Sequence, residues 1–164
     1  MVNTFVPTTG FIESNEILDD ARLGKQRSEV KIMLAGITGI RFKRAQGEHG
    51  ITLPDTRGYQ NHSATRMWRE APLGLALFGI YNCEVWADRF GHDLRTGKGA
   101  DTLADMKSWY DWLKDNGNTK TRPDWWGDER VHSTHRAVLL SKDFEYYSQF
   151  GWSEAPSPVY YWPR

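Results

Sequence analysis

Cysteine is scarce in this chain: Cys83 is the only one. A single thiol excludes an intramolecular disulfide and any cysteine-built zinc cluster, and it suits a reducing compartment. No apolar run approaches the roughly 18 residues that a membrane helix needs. The opening MVNTFVPTTGF lacks the basic stretch of a secretory signal, so the expected location is the cytoplasm, with no membrane partner. Excess charge is missing too, with 21 Lys and Arg against 21 Asp and Glu. Proteins dedicated to duplex nucleic acid usually carry a surplus of basic charge, because phosphate neutralisation drives their affinity. There is no G-x-S-x-G, no Walker loop, no dinucleotide fingerprint and no Cys/His nucleophile pair in a useful context. Few stretches alternate with period two, which argues against a sheet protein.

What is present describes a globular chain. Its 164 residues suit one compact domain, 1–164, and eight Trp with 39% hydrophobic residues supply a core. The balanced charge is unevenly spread. Residues 1–20 hold four acids and no bases, and residues 101–130 lean acidic. Between Ala21 and Gly47 stand seven cations (Arg22, Lys25, Arg27, Lys31, Arg41, Lys43 and Arg44) with Glu29 as the only acid. Segregation of this kind lets a neutral protein present a basic face.

Helical periodicity dominates, and the expected fold is mostly α, with long loops and an irregular aromatic tail. Ser14 is a candidate cap for a short first helix. A longer helix is expected over Arg22–Ile37, burying Leu23, Val30, Leu34 and Ile37. The polar stretch RFKRAQGEHGITLPDTRGYQ reads as a long loop. Pro72 suits the first turn of a helix through about Arg89, with Leu73, Leu77, Ile80 and Val85 inward and Gly91 as its stop. Asp101 or Thr102 caps a helix carrying Leu103, Met106, Tyr110 and Leu113, which ends at DNGN. Asp128 starts a last helical region through about Phe150, broken near Lys142-Asp143. The tail GWSEAPSPVYYWPR, with its three prolines, is expected to be irregular.

Three stretches carry groups with chemistry. On the first long helix Arg22, Lys25, Gln26 and Glu29 line up opposite the Leu23/Val30/Leu34 stripe. Two readings are open there: a solvated face with a Lys25–Glu29 pair, or a lone carboxylate in a cationic groove, suited to charge stabilisation or proton transfer at a sugar. In YQNHSATRMW, residues 59–68, Asn61, His62, Arg66 and Trp68 combine hydrogen-bonding, cationic and stacking groups. In DWWGDERVHSTHRAVLLSKD, His132 and His135 stand three apart on a helix near Asp128 and Glu129. The H-E-x-x-H spacing of a metal site is absent, and His135, Arg136 and Lys142 are equally suited to phosphate. Tyr160, Tyr161 and Trp162 either stack on bases or seal the core.

Four stretches in order resemble the pyrimidine dimer DNA glycosylase family, the family of the phage T4 endonuclease V type: LDDARLGKQRSEV, NHSATRMW, CEVWADRFG and WWGDERVHSTHRAVLLSKDFEYY. The resemblance covers most of the chain and is weaker at 41–58 and 93–124. It implies a compact all-helical monomer without metal or cofactor that acts on damaged double-stranded DNA. It also implies a bifunctional enzyme, which cuts the glycosidic bond of a damaged pyrimidine and then breaks the backbone at the abasic sugar. The nucleophile it implies is the α-amine of the N-terminal residue, here Val2 once the initiator Met is removed. The essential carboxylate falls on Glu29. Arg22, Lys25, Gln26 and Arg27 are the first candidates for DNA contact; Asn61, His62, Arg66, Arg69, His135, Arg136 and Lys142 come second. Position 3 is Asn where the T4-type enzyme has arginine, and Arg22 stands where it has histidine. The lesion is therefore a cyclobutane pyrimidine dimer or another damaged or modified pyrimidine. A non-catalytic DNA-binding module and a metal-dependent nuclease built on His132 and His135 are the competing expectations.

Overall fold

The computed structural model describes residues 3–43, 51–55, 60–97 and 99–163, apart from the side chains of residues 43 and 51. Among the described residues helix is the dominant element, 59% with seven α-helices. They are α1 (Phe11–Glu16), α2 (Asp20–Thr38), α3 (Ser63–Trp68), α4 (Pro72–Phe90), α5 (Ala100–Asp115), α6 (Glu129–Lys142) and α7 (Phe144–Tyr147). Two short strands, β1 (Ile40–Lys43) and β2 (Ile51–Pro54), pair antiparallel with Ile40 opposite Pro54 and Lys43 opposite Ile51. This strand pair corrects the expectation of a plain loop over 41–60. Four-residue strands are too short for alternation to stand out from the polar residues around them.

Local signals set the helix ends. Asp19 caps α2, its carboxylate accepting the Arg22 N–H, and Gly39 closes the helix in the left-handed region. Pro72 opens α4 and Gly91 ends it, as the sequence suggests. Asp128 caps α6, and Asp143 both ends α6 and caps α7. Two expected caps are corrected. Helix α1 starts at Phe11, with Ser14 inside it, where its hydroxyl binds the Thr8 carbonyl. Helix α5 starts at Ala100 after Gly99, one turn earlier than a cap at Asp101 or Thr102 allows.

Helices α2, α4 and α5 form the middle of the core. Gly79 of α4 lies so close to its neighbours that an added Cβ would stand 2.7 Å from Met106 Sδ and 2.8 Å from Val30 Cγ1. Helix α4 is apolar almost all round, so its pattern does not announce its face. It buries Leu75, Phe78, Asn82, Cys83 and Trp86, while Leu77, Ile80 and Val85 are only partly covered. Phe11, Trp68, Phe78, Trp125 and Trp126 meet edge-on or tilted in an aromatic cluster beneath α1 and α3. The tail after Gly151 runs back along α6. Arg136 holds Glu154, Ala137 accepts the Ser157 N–H, and Thr134 Oγ1 accepts the Tyr161 N–H at 3.2 Å.

Candidate functional site

The extended segment 3–7 is buried, and no strand beside it supplies hydrogen bonds. Side chains do so instead. The Asn3 N–H donates to Glu29 Oε2 at 3.1 Å, and the Phe5 N–H to Gln26 Oε1 at 2.7 Å. The Val6 N–H donates to His135 Nδ1 at 3.0 Å, while the Val6 carbonyl accepts from His132 Nδ1 at 2.7 Å. His132 Nε2 in turn accepts the Gly127 N–H, which fixes this ring as the neutral Nδ1–H tautomer. Trp68 Nε1 donates to Thr4 Oγ1 at 2.8 Å. A second polar set locks the frame: Asn15 Oδ1 accepts from both Gln26 Nε2 and Asn82 Nδ2, joining α1, α2 and α4. The N-terminal segment is thus clasped between α2 and α6.

The clasp leads to a cleft of about 310 Å³ lined by Asn3, Phe5, Ala21, Arg22, Lys25, Glu29, Lys142 and Tyr160. Glu29 is its one carboxylate and is only 7% exposed. Burial pushes its carboxyl above the ordinary carboxylate range, against the opposing pull of the Asn3 N–H and the Lys25 ammonium. Lys25 Nζ stands 3.5 Å from Glu29 Oε1, with its side chain two-thirds exposed. Arg22 is held by Asp19 at 3.1 Å, and Asp19 also takes the Tyr147 hydroxyl. Lys142 is exposed at the end of α6. The arrangement is a buried carboxylate behind three cations, a surround that attracts a polyanion and keeps one proton acceptor at its floor.

A family profile described as pyrimidine dimer DNA glycosylase matches residues 2–96. That span is more than half of the chain. The chain belongs to this family. No curated protein and no solved structure matches it in parallel comparisons. The matched half of the glycosylase supplies Asn3, Arg22, Lys25 and Glu29, and the unmatched half completes the cleft with Lys142 and Tyr160.

The glycosylase places its sequence candidates unequally. Val2 lies outside the described residues. Arg22, Lys25, Glu29, Lys142 and Tyr160 share the cleft. Gln26 is corrected: it is 1% exposed and both its polar ends are engaged, so it braces Phe5 and offers nothing to a phosphate. At about 100° per residue it falls in the middle of the buried arc of α2, not opposite it. His135 is corrected for the same reason, being fully buried with its pKa pushed down to about 3. Arg136 is tied to Glu154, Glu129 and the Pro7 carbonyl, and so holds the tail rather than a strand of DNA. Arg27 lies flat on Trp86, 3.5 Å from the ring centroid. The His132/His135 metal reading loses its ligands to Val6, and no group of three His, Cys, Asp or Glu among the described residues could hold a metal ion.

A second cleft, about 710 Å³, is lined by Ser63, Arg66, Arg69, Trp162 and Pro163. Arg66 and Arg69 are exposed along α3 and its end, and Asn61 and His62 stand at its start, where His62 Nδ1 accepts the Ala64 N–H. Tyr160 and Trp162 stack on each other at 4.7 Å, so one aromatic wall separates the two clefts. Tyr161 faces elsewhere, under the Arg130 guanidinium at 4.5 Å. Sequence reasoning named Asn3 only as a departure from the T4-type enzyme, and it missed Asp19 and Tyr147 at the site. Asp19 carried a signal, as an Asp just before a helical run; Tyr147 carried none.

Among the described residues no helix is long and apolar enough to cross a membrane. Cys83 is buried with its thiol pushed up to about 12, which leaves it without nucleophilic character.

Proposed function

We propose that this chain, acting as one domain, excises cyclobutane pyrimidine dimers from duplex DNA and then cleaves the abasic strand through an imine on the Val2 α-amine. The observation that carries the reading is the hydrogen bond from the Asn3 N–H to the buried Glu29 carboxylate. The Val2 amine is three covalent bonds from the Asn3 nitrogen, at most about 4 Å away, so covalent geometry alone keeps it near Glu29. An α-amine titrates at about 7.7–8.0, so a useful fraction is neutral at cellular pH, unlike a lysine near 10.4. Arg22, Lys25 and Lys142 around the cleft favour that neutral form.

In the proposed reaction the amine nitrogen forms a bond to C1′ as the C1′–N1 bond breaks; the base takes the electron pair and a proton from solvent, and in a dimer it stays tethered to its neighbour through the cyclobutane ring. The nitrogen gives up a proton, the C1′–O4′ bond breaks with a proton passing to O4′, and the sugar ring opens to a protonated imine. Glu29, ionised, steadies the positive charge at C1′, then accepts the C2′ proton as the C3′–O bond breaks and the phosphate departs. Reaching C1′ in a duplex requires distorting it, at a cost that is lower where pairing is already damaged. Arg22, Lys25 and Lys142 are placed to hold phosphates at the mouth of the Glu29 cleft. Arg66, Arg69, Asn61 and His62 are placed to hold them beyond the Tyr160/Trp162 wall.

The test is borohydride trapping in EDTA on duplexes carrying a cyclobutane dimer or an abasic site. A covalent adduct on both, mapped to the amine of residue 2 and lost on the dimer in Glu29→Gln, is the expected result. An adduct on the abasic duplex alone moves the substrate to another damaged or modified pyrimidine. No adduct on either duplex, with duplex binding retained, leaves a DNA-binding module.

A further inference from the structure

Two polar groups beside Glu29 are buried without a hydrogen-bond partner. Both atoms of the Asn3 carboxamide, on a residue only 3% exposed, and the Tyr160 hydroxyl make no hydrogen bond of normal geometry, although the two side chains lie near enough to influence each other. Both residues line the Glu29 cleft. Buried polar groups are nearly always paired, so an unpaired cluster at a cleft points to a ligand that completes it. The cleft volume lies at the lower end of the range that holds small ligands, enough for one nucleoside-sized group. Tyr160 enters the cleft already stacked on Trp162, which fixes its ring plane. Neither group has a part in the reaction above.

We propose that the Tyr160 hydroxyl and the Asn3 carboxamide N–H donate to the O2 carbonyl of the departing pyrimidine, which makes them catalytic residues for base release alone. The proposal rests on the glycosylase reading given above. As the C1′–N1 pair of electrons moves onto the base, negative charge spreads to O2, where fixed donors stabilise it more than they stabilise the neutral base. Burial pushes the Tyr160 hydroxyl up to about 12, so it keeps its proton throughout. An abasic site has no base to release, and its reaction with the amine needs neither donor.

Single-turnover kinetics on the two duplexes separate the possibilities. Tyr160→Phe removes one oxygen and keeps the ring, and Asn3→Ser removes the carboxamide. Each is expected to slow base release from the dimer about 10- to 100-fold, the range below or at the loss of one oxyanion donor. For Tyr160→Phe, trapping on a preformed abasic duplex should stay within about twofold, with an unchanged melting temperature. Equal rates on the dimer for variant and wild type overturn the proposal. So does a parallel loss on both duplexes, which would make the pair a brace for the amine. Failure of the wild-type protein to form an adduct on either duplex overturns the underlying reading instead.

Discussion

Replacing Gln26 by methionine tests whether the N-terminal segment is held by side chains in the way described. The substitution keeps length and apolar volume and removes both polar contacts, the 2.7 Å bond from Phe5 N–H and the 2.9 Å bond to Asn15. Asn15 Oδ1 retains Asn82 Nδ2, so that side loses only a net bond, about 1 kcal/mol. The Phe5 N–H is left buried and unpaired, which costs about 1–3 kcal/mol. The total, about 2–4 kcal/mol, corresponds to a fall of roughly 4–16 °C in melting temperature for a chain of this size. Circular dichroism melts read that fall directly. Borohydride trapping on an abasic duplex reads the second consequence: a loosened segment presents its amine less often, so the trapping rate should drop more than duplex affinity does. A melting temperature within about 1 °C of wild type, with trapping unchanged, would refute the clasp.

Glu29→Gln should abolish base release while raising the melting temperature at pH 8. Burial raises the folded-state pKa, so the ionised form is disfavoured by folding above that pKa, and the stability gain should vanish below the unfolded value of about 4.3. Melts at pH 4 and pH 8 check both halves of this statement. For His135 the sign is reversed in base form: its pKa is pushed down to about 3, and the unfolded chain binds the proton first, near 6.5. Stability should therefore fall as pH drops from about 6.5 toward 3, and His135→Asn should flatten that limb of the stability profile. Arg66→Ala and Lys142→Ala should each lower the salt slope of duplex binding by about one, measured by fluorescence anisotropy, with little change in melting temperature.

Several helices were readable because their ends carry capping chemistry: Pro72, Gly91, Asp128 and Asp143 all sit where the structure uses them. Glu29 was conspicuous as one acid among seven cations. Its burial was not legible, because a polar residue at the edge of a buried arc looks the same in sequence as one on a solvated face. Gln26, His132 and His135 misled for a related reason. Their partners are backbone groups 21, 126 and 129 residues away, and such bonds leave no periodic trace. Tyr160, Tyr161 and Trp162 pose a choice, base contact or seal, that composition does not separate. The structure puts Tyr160 and Trp162 in one stack between two clefts, with Tyr161 turned to Arg130.

The clasp also has a consequence for biosynthesis. Val6 leaves the ribosome early, but both of its side-chain partners are made more than 120 residues later, on α6. A growing chain therefore has nothing on that side to fix its first residues, and a product that stops before His132 never acquires it. On the proposed reaction, late arrival of α6 makes adduct formation a property of the finished protein, so chains that end before His132 should form no borohydride-trapped adduct on an abasic duplex.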